Sequence, residues 1–410
     1  MPPSIENPFR PGAGHTPPYL AGRTAETDEF KKLLAQSTIL NNLVLTGLRG
    51  VGKTVLLDYL KPIAIREGWL WVGTDLSESV SISDSNLAIR LLADLATVTS
   101  SLVATTSEQF EIGFGASPLA VSKTLNYEAL TAIYESTPGL ASDRLKAVLE
   151  TVWGVLQPRN KRGIIFAYDE AQNLTDHADR SQFPLSLLLE VFQSIQKRNI
   201  PFMLALSGLP NLLANLVEAR TYAERMFHVL FLQRLSEDES REAIVRPTEA
   251  TAVSFLPSSV EQIIELSGGY PYFIQFICRE VFDICIQKMG LGENPRVPVG
   301  EIVRKLDTDF FAGRWAKATD RQRQLLYCAA TLEGAGAEFT VQDLVTRTKQ
   351  MLKLPFTPSH ANQMLKALGE KSLIYKGRHG KYSFAVPLLH EFILRQSAPE
   401  GLLSIEEQGG

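Results

Sequence analysis

Short apolar runs alternate with longer amphipathic stretches over roughly the first 230 residues of this 410-residue chain. A run of about four to eight apolar residues bounded by turns is typical of a buried strand, whereas apolar residues spaced three or four apart are typical of a helix that faces a core. This alternation predicts an α/β domain built on a parallel sheet with helices on both faces, a three-layer architecture. The five predicted strands lie at 42–46, 69–74, 163–168, 201–206 and 228–232.

Several segments of the chain do not follow this alternation of strands and helices. Residues 1–18 contain six prolines, which prevent helix and central strand, so we predict a flexible, extended arm. The stretch 97–127 is rich in Ser, Thr and Gly, and its alternating Phe110, Ile112 and Phe114 predict an inserted hairpin or mobile loop. Beyond residue 235 the pattern is helical, and three helices with a glycine-turned hairpin then give the plan of a winged helix. The predicted domains are the arm at 1–18, the α/β domain at 19–234, a helical lid at 235–312, the winged helix at 313–398 and a tail at 399–410.

Composition and charge narrow the class of protein. The chain is 45% hydrophobic and 21% charged, with a net charge of −4. These values exclude a disordered chain and a protein whose whole surface attracts nucleic acid. The three cysteines lack the spacing of a metal or redox site. Because they also form no disulfide framework, we expect a protein of the reducing cytoplasm. We find no secretion signal and no apolar run of about 18 residues, so we expect no contact with the membrane.

A glycine-rich segment follows the first predicted strand and precedes a predicted helix. It fits the pattern GxxxxGK[ST], in which glycines let backbone N–H groups turn toward phosphates and the helix N-terminus adds positive potential. In this pattern Lys53 reaches the β- and γ-phosphates and Thr54 gives a hydroxyl to magnesium. The segment predicts an ATP and Mg²⁺ site formed by Gly47, Leu48, Arg49, Gly50, Val51, Gly52, Lys53 and Thr54.

Two carboxylates end the third predicted strand, at Asp169 and Glu170. The carboxyl ends of strands in an α/β sheet lie at the edge where ligands bind. Asp169 is therefore placed to hold magnesium, and Glu170 to orient and polarise the attacking water. The pair favours hydrolysis over transfer to another substrate, as in a P-loop kinase.

The predicted fourth and fifth strands add two further candidates. Ser207, after the fourth strand, can contact the γ-phosphate or the attacking water, although a small turn residue is an equal alternative. Arg225, before the fifth strand, can project into a neighbouring subunit's nucleotide and stabilise charge during transfer. A solvated surface arginine is the alternative there, and Arg220 and Arg234 are rivals for the role.

Together these residues resemble the AAA+ superfamily. Within it they are similar to the archaeal and eukaryotic replication-origin initiators and to a set of bacterial initiator-like ATP-binding proteins. The resemblance spans about residues 19–396 and implies the AAA+ fold and ATP hydrolysis. In it, the Walker A, Walker B, sensor-one and arginine-finger positions are taken in turn by the glycine-rich segment, Asp169 with Glu170, Ser207 and Arg225.

The resemblance also implies a site for the base. The segment 19–26, with Tyr19 and Arg23, resembles the part of these proteins that packs around adenine. In the lid, initiators usually carry an arginine shortly after a glycine pair, but this chain has Pro271 there. A proline at this place is similar to the STAND signalling ATPases, where it packs near the base, and implies a slow nucleotide switch. Arg279, two helical turns further on, is a weaker substitute for the missing arginine.

The predicted winged helix is locally basic. Between residues 316 and 400, Lys and Arg outnumber Asp and Glu by twelve to seven, which leaves a local charge of +5. Its third helix and its wing carry polar and basic groups that can reach duplex DNA, but winged helices also serve as protein-contact modules, an equally weighted alternative. The helix groups are Ser359, His360, Asn362, Gln363 and Lys366, and the wing groups are Lys376, Arg378, His379 and Lys381.

Two functional hypotheses follow. The first is an ATP-hydrolysing, DNA-associated initiator-like or loader-like protein that self-associates through its ATPase domain. The second is a STAND-like regulatory ATP switch that changes protein partners. In the second hypothesis the winged helix contacts protein rather than DNA.

Overall fold

The structure, a computed structural model, forms two compact units that are described separately. The sheet unit comprises Arg23–Thr46 and Leu56–Phe231, and the loop–lid unit comprises Met1–Gly22, Gly47–Val55 and Leu232–Gly410. The described residues are 6–12, 14–109, 119–289, 297–332, 338–377, 380–396 and 400–401, without the side chains of 103–109, 119–123 and 289.

The sheet unit contains a five-stranded parallel sheet and a separate antiparallel hairpin. Its strands are β1 (Asn42–Thr46), β2 (Trp69–Val72), β3 (Val103–Gln109), β4 (Leu119–Thr124), β5 (Gly163–Tyr168), β6 (Phe202–Gly208) and β7 (Phe227–Phe231). Its helices are α1 (Thr24–Leu34), α2 (Lys53–Arg66, which begins in the loop–lid unit), α3 (Asp84–Thr99), α4 (Tyr127–Ser136), α5 (Ala141–Leu156), α6 (Pro184–Lys197), α7 (Asn211–Ala219) and α8 (Ala223–Met226).

The strand order of the parallel sheet is β2–β5–β6–β1–β7. The strands β5, β6 and β1 are therefore neighbours, and their carboxyl ends meet at one edge of the sheet. Register fixes this edge, because Tyr168 pairs with Leu206 and Leu45 pairs with Ser207. Asp169 and Glu170 follow β5, and Ser207 lies near the end of β6. These are the residues that the sequence predicts to take part in ATP hydrolysis.

Both faces of this sheet are buried. On one face Val44 and Phe166 belong to the core that α3, α5 and α6 share. On the other face Ile165 is equally buried, and Trp71, its partner in register, meets the ring of Phe30 from α1 at 6.3 Å. A strand buried on both sides needs a continuous apolar run, which explains why β1 and β5 begin and end where the sequence predicts.

The hairpin β3–β4 lies within the predicted insertion at 97–127. Asn126 follows it and caps α4, since its side chain accepts a hydrogen bond from the backbone N–H of Ala129 at 3.0 Å. The alternating Phe110, Ile112 and Phe114 lie outside the described residues.

The loop–lid unit is mainly helical. Side-chain caps start several of its helices, for example the reciprocal pair of Ser236 and Glu239 at α9, as expected for Ser and Thr at an N-cap. Its elements are α9 (Glu237–Val245), α10 (Pro257–Ser267), α11 (Pro271–Met289), α12 (Val299–Leu306), a π-helical turn (Asp307–Phe311), α13 (Ala312–Trp315), α14 (Asp320–Ala330), α15 (Val341–Met351), α16 (Pro358–Glu370), β8 (Ile374–Lys376), β9 (Tyr382–Phe384) and α17 (Leu389–Arg395).

The three helices α14–α16 and the antiparallel pair β8–β9 occur in the predicted order. The last helix, α17, is fixed to the π-helical turn. The ring of Phe392 stacks on that of Phe311 at 5.3 Å, and Arg395 forms a 2.6 Å ion pair with Asp307. The apolar residues after the hairpin therefore pack against this turn within the loop–lid unit.

Candidate functional site

The glycine-rich segment forms a tight loop that ends at the start of α2. Gly50 and Gly52 adopt φ angles of +80° and +91°, a left-handed conformation that L side chains rarely adopt. The Lys53 ammonium group lies inside the loop, where Nζ donates hydrogen bonds to the carbonyl oxygens of Gly47 at 2.9 Å and Leu48 at 3.0 Å. A Cβ placed on Gly52 would meet no heavy atom within 4 Å. The loop therefore has the bent backbone, the cation and the helix N-terminus that a phosphate group requires.

The lid contacts this loop through the first turn of α11. The backbone N–H of Tyr272 donates to the carbonyl oxygen of Gly50 at 3.1 Å, and its Cβ would stand 3.1 Å from a Cβ on Gly50. Pro271, which the sequence places near the base, begins α11 and directly precedes Tyr272. The loop–lid unit thus brings Pro271 beside the loop.

The segment predicted to hold adenine is divided between the units. Tyr19 belongs to the loop–lid unit, where its hydroxyl donates to Glu242 Oε2 at 2.8 Å and the guanidinium of Arg246 lies 6.0 Å from its ring centre. The hydrogen bond to Glu242, followed by burial, raises the pKa of Tyr19. Arg23 belongs to the sheet unit, where it is 6% exposed and pairs with Glu26 at 3.3 Å.

The N-terminal arm packs on the lid helix α11 in the same unit as Tyr19. Phe9 is 1% exposed, and its ring lies 6.0 Å from that of Phe255 and 6.2 Å from that of Phe282. The Asn7 side chain donates to Asp283 Oδ1 at 2.7 Å. The arm is therefore attached near residues 7–10 and reaches Tyr19 from there.

The acidic pair lies at the carboxyl edge of the sheet. Asp169 is 5% exposed, and its Oδ1 accepts a 2.8 Å hydrogen bond from the backbone N–H of Glu170. Glu170 itself has φ +49°, so the chain turns sharply away from β5 here. The Gln172 side chain donates to Glu170 Oε2, and its own carbonyl accepts from the backbone N–H of Leu209, beyond β6, at 2.9 Å.

Two further carboxylates lie close to this pair. Burial, and then the charges of Asp169 and Glu170, raise the pKa of Asp75, which follows β2. Burial also raises the pKa of Asp58 on α2, where Lys61 opposes the shift and the charge of Asp169 adds to it. Negative charge is thus concentrated at this edge of the sheet, which favours a bound cation.

A buried hydroxyl without a partner lies next along the same edge. Ser207 is fully buried, and its Oγ has no hydrogen-bond partner within the part of the chain that the structure describes. The same holds for Thr46 Oγ1 at the end of β1. Since a buried, unsatisfied hydroxyl costs roughly 1–3 kcal/mol, such a group in a native fold calls for a ligand, a water molecule or a role in chemistry.

The three predicted arginines have different surroundings. Arg225 is exposed on the short helix α8, and its guanidinium has no ion-pair partner among the described residues. Arg220 instead pairs with Glu190 at 3.4 Å, and Arg234 is exposed in the loop–lid unit. Of the two predicted arginines in the sheet unit, Arg225 is therefore the one without an ion pair to a described residue.

The structure brings some of the predicted residues together within each unit. The sheet unit holds Asp169, Glu170 and Ser207 at one edge of neighbouring strands, and the loop–lid unit holds the phosphate loop with Pro271. Thr54 belongs to the loop–lid unit and Asp169 to the sheet unit, so the magnesium site stays a prediction. The sequence analysis missed Asp75, Asp58 and Gln172. Asp75 could have been found, because it lies three residues after β2 and therefore at the carboxyl edge of the sheet.

The C-terminal helix α16 presents a polar face. Ser359, Asn362, Gln363 and Lys366 are exposed, whereas His360 is half-buried beside the ring of Phe356. On the hairpin, Lys376 is exposed and Lys381 lies 3.7 Å from Glu338, while Arg378 and His379 lie outside the described residues.

Solved structures share this fold. A Walker-type ATPase of Pyrococcus abyssi matches with a TM-score of 0.57 and 14% identity, over 92% of this chain and 96% of that chain. The ORC2 protein of Aeropyrum pernix, in ADPNP–ADP complexes, matches with a TM-score of 0.51 and 16% identity, over 93% of this chain and 95% of that chain. Its ADP form matches with a TM-score of 0.52 and 15% identity, over 94% and 97%.

The chain shares the fold of these Walker-type ATPase and ORC2 structures. This confirms the predicted α/β fold with a parallel sheet, whereas the winged helix stays a prediction. Identities of 14–16% establish the fold alone. Residues 308–393 match the family described as domain of unknown function (DUF8462), and among curated protein sequences none matches the chain. Among the described residues, no helix combines the length and apolar character needed to cross a membrane.

Proposed function

We propose that this chain binds ATP with magnesium in its phosphate loop and hydrolyses it slowly, so that the nucleotide state switches its conformation. The observation that carries the proposal is the loop, in which Gly50 and Gly52 bend the backbone around the Lys53 ammonium group at the start of α2. Backbone N–H groups, an ammonium group and a helix N-terminus all favour a phosphate. The ADPNP and ADP complexes of the ORC2 protein support the same class of ligand.

Magnesium fits the donors that the proposal assigns to it. In nucleotide sites Mg²⁺ takes one or two protein oxygens and completes its shell with phosphate oxygens and water. Among the described residues, no group of three His, Cys, Asp or Glu side chains forms a metal site on its own. Thr54 and Asp169 are the proposed ligands. When bound, the ion would neutralise charge on the phosphates.

Glu170 is the proposed group that orients and polarises water. Its carboxylate is held by Gln172, which is itself tied to the backbone at Leu209. A fixed carboxylate suits this role because orientation contributes much of the rate in phosphoryl transfer. The Ser207 hydroxyl is the proposed contact to the γ-phosphate or the water.

Self-association would complete the site. The open guanidinium of Arg225 supports a role in trans, in which it stabilises charge on the nucleotide of a neighbouring subunit. Pro271 supports slow turnover, because the first turn of the lid helix lacks an arginine at this place.

We propose further that the C-terminal helices contact duplex DNA, as in an initiator-like or loader-like protein. The exposed polar face of α16 supports this role, since Asn362, Gln363 and Lys366 can reach base edges or phosphates. A STAND-like switch that changes protein partners is the second candidate. Two ion pairs support this second candidate, because Lys381 pairs with Glu338 and Arg395 pairs with Asp307. These basic side chains therefore offer less charge to the phosphate backbone of DNA.

Steady-state ATP turnover with and without duplex DNA tests the proposal. The wild type should turn over slowly, faster with DNA, and Glu170→Gln should abolish turnover while ATP still binds. Lys366→Ala, with Lys31→Ala on α1 as its control, should reduce only the effect of DNA. Turnover unaffected by DNA, with no DNA binding, would favour the switch. Failure of the wild type to bind ATP would overturn both candidates.

A further inference from the structure

A continuous stack of side chains leads from the phosphate loop to an arginine after the lid. Tyr272, whose N–H is bonded to Gly50 of the loop, has its ring 4.9 Å from that of Phe310 in the π-helical turn. The guanidinium of Arg314, on α13, lies 4.1 Å from the centre of the Phe310 ring and donates a hydrogen bond to the Phe310 carbonyl oxygen. All these contacts lie within the loop–lid unit.

The π-helical turn accounts for the position of this arginine. One extra residue per turn changes the direction of the side chains that follow, and such turns occur frequently at functional sites. Phe310 and Arg314 are four residues apart, which places them on one face of the continuing helix. Phe310 also packs edge-on against Phe273 at 5.0 Å, so the turn is fixed to the first turn of α11.

The positive charges of Arg49 and Arg314 repel each other when no anion is bound near them. Burial, and then the positive charge of Arg49 in the phosphate loop, lower the pKa of Arg314. Neither arginine has an ion-pair partner within the described part of the chain, and the buried Nε of Arg49 has no hydrogen-bond partner there. The nearby Asp309 makes no ion pair with either. Two like charges held beside a phosphate loop repel each other, and an anion between them would remove that cost.

We propose that Arg49 and Arg314 together bind the terminal phosphate of the nucleotide, with Arg314 supplying the positive charge that Pro271 cannot. This proposal rests on the proposed function, because it assigns the ligand of the same loop. The loop begins at Gly47, and its last N–H groups, at the start of α2, would face the inner phosphates of a bound nucleotide. Arg49, early in the loop, would then lie toward the outer end of the phosphate chain.

The same contact would connect the nucleotide with the C-terminal elements. Arg314 lies in the segment that joins the lid to α14, and Phe311, one residue after Phe310, stacks on Phe392 of α17. ATP, which has the terminal phosphate, would therefore fix this turn, and ADP would leave the two arginines without their shared ligand. The nucleotide state would thus affect the C-terminal helices, which are proposed to contact DNA or a protein partner.

Equilibrium binding of fluorescent ADPNP and fluorescent ADP, each with magnesium, tests this proposal. Arg314→Ala and Arg49→Ala should each weaken ADPNP binding by about 10- to 100-fold, the range expected for a charge-assisted hydrogen bond, and change ADP binding by less than about threefold. Arg314→Lys should recover part of the loss, because it keeps the charge but not the planar fork. The double variant should lose less than the product of the single losses, since each arginine acts on the same phosphate.

The controls separate this proposal from the proposed function. Arg304→Ala, on the exposed side of α12, should leave both affinities unchanged. Lys53→Ala should lose both ligands. Equal losses of ADPNP and ADP in Arg314→Ala, or no loss of either, would overturn the assignment to the terminal phosphate while wild-type binding still supports the ATP site. A wild type that binds neither ligand would instead overturn the proposed function.

Discussion

The Gln172 side-chain carbonyl accepts a 2.9 Å hydrogen bond from the backbone N–H of Leu209, so one side chain joins the turn after β5 to the turn after β6. The amide group of the same side chain donates to Glu170 Oε2. Gln172 therefore sets the position of the proposed water-activating carboxylate relative to the strand that carries Ser207. It is a positioning residue and need not touch the nucleotide.

We predict that Gln172→Ala lowers kcat by about 10- to 100-fold, because a hydrogen bond to a charged group contributes roughly 1.5–3 kcal/mol. The affinity for ATP should stay within about twofold. Asn173→Ala is the matched control, since Asn173 lies in the same turn but donates to the Leu76 carbonyl oxygen at 2.9 Å. Turnover kinetics measure the effect, and equal losses in both variants would show that Gln172 acts only on the fold.

Arg225→Ala should abolish most turnover without weakening ATP binding, because the guanidinium is proposed to act on a neighbouring subunit's nucleotide. Mixing Arg225→Ala with Glu170→Gln should restore activity, since a mixed assembly contains interfaces with an intact site. Arg220→Ala, which breaks only the ion pair with Glu190, is the control. A mixture that remains as inactive as its components would contradict a role in trans.

The buried pair Tyr168 and Asp94 should stabilise the sheet unit. The Tyr168 hydroxyl donates to Asp94 Oδ2 at 3.0 Å, and both side chains are buried. Tyr168→Phe leaves the buried carboxylate with Arg90 alone, so we expect the free energy of unfolding to fall by about 1–3 kcal/mol. Tyr134→Phe, at a half-buried tyrosine, is the control. Chemical denaturation measures both, and an equal effect would contradict a specific role for the pair.

Stability should also depend on pH through Asp94. Burial raises the pKa of Asp94 above 3.8, against the lowering effect of its bonds to Arg90 and Tyr168. The folded state therefore binds more protons than the unfolded state between the ordinary pKa and the raised one, and this contribution to stability is lost as the pH rises through that window. The stability of the wild type relative to Asp94→Asn should fall from pH 4 upward. A difference that does not change with pH would contradict this.

Phe9→Ala should destabilise the loop–lid unit by about 3–5 kcal/mol, the usual cost of truncating a buried phenylalanine. Phe9 is 1% exposed between Phe255 and Phe282, so the arm is part of the lid core. Leu40→Ala, at a side chain that is 71% exposed, is the control. Thermal unfolding measures both, and an undiminished melting temperature in Phe9→Ala would show that the arm contributes nothing to the core.

Much of the fold could be predicted because its signal is local. A strand buried on both faces, such as β5, must be apolar throughout, and a phosphate loop needs glycines at fixed spacing. The prediction stopped β6 at residue 206, but it continues to Gly208 because Ser207 and Gly208 pair with Leu45 and Thr46. Pairing with a distant strand leaves no local pattern.

The site residues that the sequence analysis missed could not be predicted for the same reason, since their contacts are distant along the chain. Gln172 gains its role from Leu209, 37 residues away, and Arg314 gains its role from Tyr272, Phe310 and the loop. An arginine in a helix usually lies on a solvated surface, so nothing in its own neighbourhood of the sequence marks Arg314. Only the packing of the π-helical turn against α11 brings it toward the phosphate loop.

Titration calorimetry of the wild type and Lys53→Ala with ATP and magnesium tests the central claim most directly. The claim predicts saturable, one-site binding of ATP by the wild type and a loss of at least about tenfold in affinity when the ammonium group is removed from the loop. Wild-type protein that binds no ATP, or a Lys53→Ala variant that binds it equally well, would contradict the assignment of residues 47–54 as the nucleotide site.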